Sequence, residues 1–502
     1  MPDSVKDYDV VIVGSGAGGG TVAAELAPLC KDGLRVAVLE AGPRFRAEDL
    51  RDLPETAAAE RLYVDGGGFF TRDRAMTLAF GRGYGGSTQV YTGTSLKIPE
   101  KVVADWGVPG LTAEDVHLRT AKYMAQNNVH LLPEELINEN NRLFRDGCRA
   151  LGFRVEQFPV NVKGCRGSGR CNLGCGNGAK QGTHVVQLPA AERAGVEVVT
   201  DCQVERISDR ACHATVRHAG HGAPGPWPDG RYEVRGKVIV AAGGAISTPA
   251  LLLRSRLPAA LPALGRFFTC HPALILVAQH ERAITNSVGH PKSYCCDHFA
   301  ESLGFLLETC MYFPFVTAKS MAGFGREHRR MLSRMDHLQM ILALAFDEAT
   351  PGNRVLVDRD GNPVVDYRLS PAVMRSLRDA MVAASRIFFA AGAKLVHAPA
   401  AVRFFLEPAD EAALEDLIPL AGMLPGKIPI AAAHPMGGCR MGTDRATSVT
   451  DAFGRVHGLP WLRVADASLF PASAEANPYL TVQALADRVA EGIKADLPAF
   501  RA

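Results

Sequence analysis

The chain has no stretch of about 18 consecutive apolar residues, the length a helix needs to cross a bilayer, and it is not expected to span a membrane. It has no long run of Lys or Arg, and its 55 basic and 53 acidic side chains leave a net charge of +2. That balance gives no electrostatic footing for nucleic acid or an anionic membrane as the main partner, so a small molecule is the expected one. The opening MPDSVKDYDVVIVG runs from a short polar lead straight into a strand, without the basic region, apolar core and cleavage site of a secretory leader. The cytoplasm is the expected location. Cysteine is sparse, 12 in 502 residues, which excludes a secreted disulfide scaffold and leaves most thiols reduced. No GxSxG elbow is present, and no HExxH string would set two zinc ligands on one helical face, so hydrolase readings fall away.

What is present is the profile of a globular enzyme: 47% hydrophobic, 22% charged, with 50 glycines and no internal repeat. The length exceeds one hydrophobic core and implies two to four domains or one large elaborated fold. Residues 8–13, YDVVIV, are β-branched and apolar, then come glycines, then the helical pattern TVAAELAPL. With the strand RVAVLEAG at 35–42 they make a βαβ unit, hence a parallel sheet. Residues 196–207 and 237–244 read as further strands of that sheet. The runs 305–317 and 337–346, and the hairpin-like 354–369 with its Asp-Gly turn, read as a separate antiparallel sheet. A helix is expected over 371–392, and the last helix from near Thr481.

Gly14, Gly16 and Gly19 give GxGxxG between strand and helix. The first permits the tight turn, the second lets backbone approach a pyrophosphate, and the third lets helix and strand pack. Glu40 ends the next strand 26 residues after Gly14, where a carboxylate can accept from an adenosine ribose. The motif alone does not separate FAD from NAD.

Four further strings separate them. GRGYGGST at 81–88, GGAISTPALLLRS at 243–255, LRVADASLFP at 462–471 and NPYLTVQALADR at 477–488 together resemble the glucose-methanol-choline (GMC) oxidoreductases, in order and from end to end. The resemblance implies an α/β fold with a doubly wound, Rossmann-like FAD-binding domain from 1–100, 185–272 and 434–502. It also implies an insertion at 101–184 and an antiparallel-sheet substrate domain at 273–433. It implies FAD, held by Gly14, Gly16, Gly19 and Glu40 together with Gly85, Gly86, Ser87, Val204, Asp466, Ala467 and Tyr479, with Asp466 beside the ribityl and phosphate portion. The sequence departs from the family in three places. Tyr91 stands where Asn or His is usual, Tyr84 replaces a smaller aliphatic residue, and Ser255-Arg256 stands for Ser-Gly.

The implied activity is oxidation of a bulky primary alcohol, sugar-like, aminoglycoside or long-chain, to the carbonyl and conceivably on to the acid. Reduced flavin then passes electrons to oxygen or a redox partner. Such chemistry needs a base for the hydroxyl proton, and a neutral histidine suits that task. His434 in AHPMGGCRMG and Asn477, 43 residues later, match the family's active-site pair, the amide steadying the substrate oxygen. His457 is assigned no role. The alternatives are an electron-transferring subunit that no longer oxidises alcohols, or a lyase or decarboxylase of the same family. Cys165, Cys171 and Cys175 lie within eleven residues, a spacing from which three thiolates can converge on an iron-sulfur centre, as in certain relatives. A four-cysteine set is absent, and a compact loop of reduced thiols or one disulfide is the favoured expectation, with no metal assigned.

Overall fold

The computed structural model describes residues 2–284 and 288–501. The first sheet opens with β1 (Ser4–Val13), α1 (Ala17–Leu26) and β2 (Val36–Leu39), then continues with β3 (Glu197–Val199), β4 (Cys202–Ser208), β5 (Ala211–Val216) and β6 (Gly230–Ala241). β1 begins four residues before the apolar run because Ser4 to Tyr8 pair in parallel with Tyr232 to Gly236. From Val10 onward both faces are covered, as befits a central parallel strand. The expected strand over 196–207 is two strands instead. The chain breaks at Asp201, whose φ of 56° is left-handed, and the second piece joins β5 in an antiparallel hairpin. Helix α2 (Gly244–Ser255) follows β6.

The second sheet is built from β7 (Ala273–Gln279), β8 (Tyr294–Cys296), β9 (Phe305–Thr309), β10 (Leu338–Ala345) and β11 (Ile430–Ala432), flanked by short strands at Phe69–Phe70, Met76–Leu78 and Glu156–Gln157. Its central order is β11-β7-β10-β9-β8, antiparallel throughout. The strand run expected over 305–317 ends at Thr309, and Pro314 starts a short helix, Pro314–Ser320, where proline is tolerated in the first turn. The 354–369 segment forms a two-stranded hairpin of its own, Arg354–Val357 with Pro363–Asp366, turning through Gly361 at φ 83°.

Helix α3 (Pro371–Ala390) and the helix Glu139–Ala150 close one face of the second sheet. There Leu274, Leu276, Ile341, Ala343, Phe305 and Leu307 are fully buried. On the other face Ala273, Ile275, Leu306 and Leu342 keep 8–9% of their surface accessible, whereas Val277, Leu338 and Met340 are fully buried, so any open space on that face lies at its end near His271. The chain then returns to the first sheet as β12 (Leu459–Val464), parallel to β6, and ends in α4 (Tyr479–Arg501), two residues ahead of the expected start. Among the described residues no helix is long and apolar enough to cross a membrane.

The return is a tight fit. Gly18, in the first turn of α1, lies so close to the residue after β12 that a Cβ would stand 1.7 Å from the Ala465 carbonyl oxygen. Backbone cannot give way as a side-chain tip can, so Gly18→Val is expected to cost about 1–3 kcal/mol or more. A variant as stable as wild type in thermal unfolding would show that the two segments do not meet this closely.

Candidate active site

The turn after β1 is set by close approaches. Gly14 has φ 101° and a Cβ there would sit 2.4 Å from the Ala242 carbonyl oxygen, while a Cβ on Gly19 would sit 2.0 Å from the Gly14 carbonyl oxygen. Gly16 differs: its Cβ direction is open, and the nearest atom is the Gly86 Cα at 4.0 Å. Gly86, at φ 53°, faces it in turn. Two residues without side chains thus confront each other at the start of α1, which has no side-chain cap and no acidic residue in its first turn. Free N–H groups at a helix start, flanked by bare backbone, are what a pyrophosphate requires. The residues fit the dinucleotide that the sequence implies.

Glu40 is buried, and its carboxylate draws three loops together. It accepts from the Ser15 hydroxyl at 2.6 Å, the Ser15 N–H at 3.0 Å, the Gly42 N–H at 2.9 Å and the Gly83 N–H at 3.2 Å. Burial raises its pKa and these bonds pull it back. The Ser15 hydroxyl also accepts from the Gly85 N–H at 2.9 Å, and the Ser87 hydroxyl from the Gly81 N–H at 2.9 Å, so the 81–88 string is pinned over the turn. Asp466 caps α2: its carboxylate accepts from the Gly244 N–H at 2.8 Å and the Thr248 hydroxyl at 2.6 Å, and also from the Ser468 N–H at 2.8 Å. Ala467 offers its carbonyl to the Gly437 N–H at 3.0 Å, fixing the glycine pair that follows His434. Tyr479 starts α4, shares a 2.6 Å hydrogen bond with Ser95, and meets the Tyr91 ring edge-on at 5.0 Å. Tyr91 in turn reaches Asn161. Val204 is buried in β4, its carbonyl accepting from Arg254 at 2.9 Å.

His434 and Asn477 come together, with the amide Nδ2 3.3 Å from His434 Nε2. A third residue, absent from the sequence reading, completes the group. His271 Nδ1 lies 3.0 Å from His434 Nδ1, and its Nε2 lies 2.9 Å from the Ser473 hydroxyl. With the Asn477 amide nitrogen facing His434, one set of tautomers follows. The amide hydrogen points to His434 Nε2, so Nε2 is an acceptor and Nδ1 carries the hydrogen. That hydrogen goes to His271 Nδ1, and His271 therefore carries its own on Nε2, towards Ser473. Burial holds His434 well below the ordinary histidine range, helped by His271 and Lys292, and burial holds His271 down to about 3. Both rings are neutral. The sequence carried a faint signal for His271: three histidines, His271, His290 and His434, directly precede proline, which forces each into extended backbone. Two of the three meet. His457 bonds to Ser448 at 3.0 Å, apart from this group.

Among the described residues no three His, Cys, Asp or Glu side chains are placed to hold a metal, Cys165, Cys171 and Cys175 included, and all three are free thiols. Their loop packs closely on the segment at 50–51. Cβ atoms on Gly174 and Gly176 would stand 2.6 Å from Leu50 Cδ1 and 2.3 Å from Arg51 Cα. Burial pushes the Cys171 thiol up to about 12. The loop is tied to the 81–91 segment by Lys180, whose fully buried ammonium donates to the carbonyls of Gln89 at 2.6 Å, Tyr91 at 2.7 Å and Cys171 at 2.6 Å.

Comparison with known proteins gives the family. Two family models, both described as GMC oxidoreductase, match residues 59–273 and 352–486. An uncharacterized GMC-type oxidoreductase of Mycobacterium tuberculosis is 34% identical over 497 residues, covering 97% of this chain and 76% of that protein. A long-chain-alcohol oxidase of Arabidopsis thaliana is 27% identical over 518 residues, covering 95% of this chain and 66% of its own length. Among solved structures, pyridoxine 4-oxidase from Mesorbium loti superposes with a TM-score of 0.72 at 18% identity, covering 97% of this chain and 99% of that one. That last likeness is one of fold.

Lys180→Met would leave the Gln89 and Tyr91 carbonyls without the ammonium, at about 1–3 kcal/mol each, and the Cys171 carbonyl with only the Gly174 N–H at 3.4 Å. The variant is expected to unfold at lower temperature and to lose flavin more readily, by absorbance after gel filtration. Cys171→Ser should leave both unchanged, and iron found in the anaerobically purified wild type would contradict the packed-loop reading.

Proposed function

The chain belongs to the GMC oxidoreductase family and is an FAD-dependent oxidoreductase acting on CH–OH donors, and from that premise we propose that it oxidises a bulky primary alcohol, long-chain or sugar-like, to its carbonyl, with His434 as base. The observation that carries this reading is the contact between His434 Nε2, a neutral acceptor, and the Asn477 amide at 3.3 Å. We assign FAD to the cradle of Gly14, Gly16, Gly19, Gly85, Gly86 and Ser87, with Glu40, Val204, Asp466, Ala467 and Tyr479 around it. When bound, the flavin supplies the hydride acceptor.

The chain's own residues handle the proton. When the alcohol binds, the Asn477 Nδ2–H turns from His434 Nε2 to the alcohol oxygen and orients it, and the lone pair so freed on His434 Nε2 takes the hydroxyl hydrogen. A proton taken there cannot rest, because burial disfavours the imidazolium. The His434 Nδ1–H already points at His271, and the His271 Nε2–H at Ser473, which is half-buried. The hydrogen leaves by that route as the new one arrives, and the pair of rings ends neutral. His271 thus positions His434 and carries the proton onward.

Anaerobic mixing with a panel of primary alcohols tests the reading, since bleaching reports hydride transfer whatever the final acceptor. His434→Ala is expected to slow bleaching by about a hundredfold to ten-thousandfold with FAD retained, and a variant as fast as wild type would remove His434 from the chemistry. His271→Ala should lose less. His271→Asn, whose amide oxygen can still accept from His434 Nδ1, should recover part of the loss through restored positioning. The base must be neutral, and its pKa is depressed. Activity should therefore hold as pH falls through about 6.5, the unperturbed histidine value, and fail only at lower pH. An acid limb in kcat/KM at or above that value would place the proton on another group.

A further inference from the structure

The accessible face of the second sheet carries one pair of charges. Directly paired residues run across four strands as Ile275, Leu342, Glu308 and Cys295. Three of the four are apolar or weakly polar and keep 8–9% exposure, while Glu308 is fully buried. It is covered by Lys292, which forms an ion pair with it, their side chains being 8% and 1% accessible. Burying two charges costs several kcal/mol and is not repaid by attraction alone unless further hydrogen bonds satisfy both groups. Here they are not satisfied. Among the described residues the Lys292 ammonium has no partner but this carboxylate, and Glu308 Oε1 has no hydrogen-bond partner at all.

The same strand face leads to the histidines. His271 lies two residues before β7 on the side chain parity of Ala273 and Ile275, with its ring 5.6 Å from that of Phe346, which continues the parity of Leu342 and Leu344 on β10. The row holding Glu308 is four residues beyond His271, about 13 Å along the strand. Between them the wall is Ala273, Leu306 and Leu344, all apolar. Lys292 is near enough for its charge to be felt at His434.

We propose that Lys292 and Glu308 form a remote recognition point in the substrate chamber, which holds a second hydroxyl of the alcohol about a dozen ångströms from the one oxidised at His434. The chemistry selects the group. A hydroxyl accepts from the ammonium and donates to the carboxylate at once, giving each a further partner. A carboxylate would be repelled by Glu308 and an ammonium by Lys292, and the pair offers no net charge to either. The inference rests on the alcohol-oxidation reading and deepens it: the substrate is an apolar-bodied alcohol hydroxylated at both ends.

The test compares α,ω-alkanediols of increasing chain length with the matching primary alkanols, ω-hydroxy acids and ω-amino alcohols, by anaerobic flavin reduction of the holoenzyme. Wild type is expected to favour diols of matching length over alkanols by about tenfold to a hundredfold in kcat/KM, the worth of hydrogen bonds to charged groups. The double variant Lys292→Met/Glu308→Leu, which leaves no stranded charge, should treat diol and alkanol alike, the change falling mainly in KM. Equal use of diol and alkanol by wild type overturns the proposal without needing any variant. So does a preference for the hydroxy acid or amino alcohol, or a diol preference that survives in the double variant. If no alcohol bleaches the flavin, the underlying reading fails and this one with it, an outcome distinct from uniform bleaching by all.

Discussion

The contact on which the rest of the molecule depends is backbone against backbone, where the first turn of α1 meets the residues after β12. A glycine Cα at position 18 admits the Ala465 carbonyl, and the next residue, Asp466, turns back to cap α2. One close approach therefore joins the first helix, the third βα unit and the last strand. The opposition of Gly16 and Gly86 then follows, since Glu40 and Ser15 hold the 81–88 segment over the same turn. The cradle needs no preformed side-chain pocket. It is made of backbone that several tethers keep from closing over or drifting apart.

The second sheet is asymmetric in a way that divides stability from chemistry. Its shut face, under α3, is fully buried and mainly apolar, with Gln339 and Thr309 its polar members. Its accessible face ends at His271, so that one strand, β7, both anchors the core and delivers a ring to His434. Neutral histidines are the natural choice at such a seam. Burial that would be ruinous for a fixed charge costs an imidazole only its proton, and each ring retains one donor and one acceptor with which to orient its neighbour.

Much of this was legible in the sequence wherever the signal is local. The glycine spacing around Gly14, the acid at Glu40, the Asp-Gly hairpin and the His434 and Asn477 strings each declare themselves within a dozen residues. Edges were less legible. β1 extends to Ser4 through polar residues because β6 supplies its partners, and the run at 196–207 breaks at Asp201 for a left-handed turn that no apolar pattern encodes. Residues whose meaning lies in a distant partner escaped notice. His271 meets His434 across 163 positions, Lys180 reaches back to Gln89, and Glu308 is ordinary until Lys292 folds over it. For the cysteine group the favoured expectation is a compact loop of reduced thiols, and glycines at 174 and 176 press that loop onto the segment at 50–51.

The position of β12 has a consequence for how the protein is made. β6 lies between β1 and β12, yet β12 leaves the ribosome well after β6, since chains emerge from the N-terminus onward. Until it does, the sheet has an open parallel edge at β6, and α1 lacks the carbonyl against which Gly18 seats. An unpaired edge of that kind is a template for association with other nascent chains until its own partner arrives. The closing strand lies between His434 and Asn477, and Asp466, Ala467 and Tyr479 are made with it, long after the glycines of the cradle. Cofactor capture is thereby coupled to synthesis of this later segment, and a chain released before it would carry an intact glycine motif without the partners that segment brings.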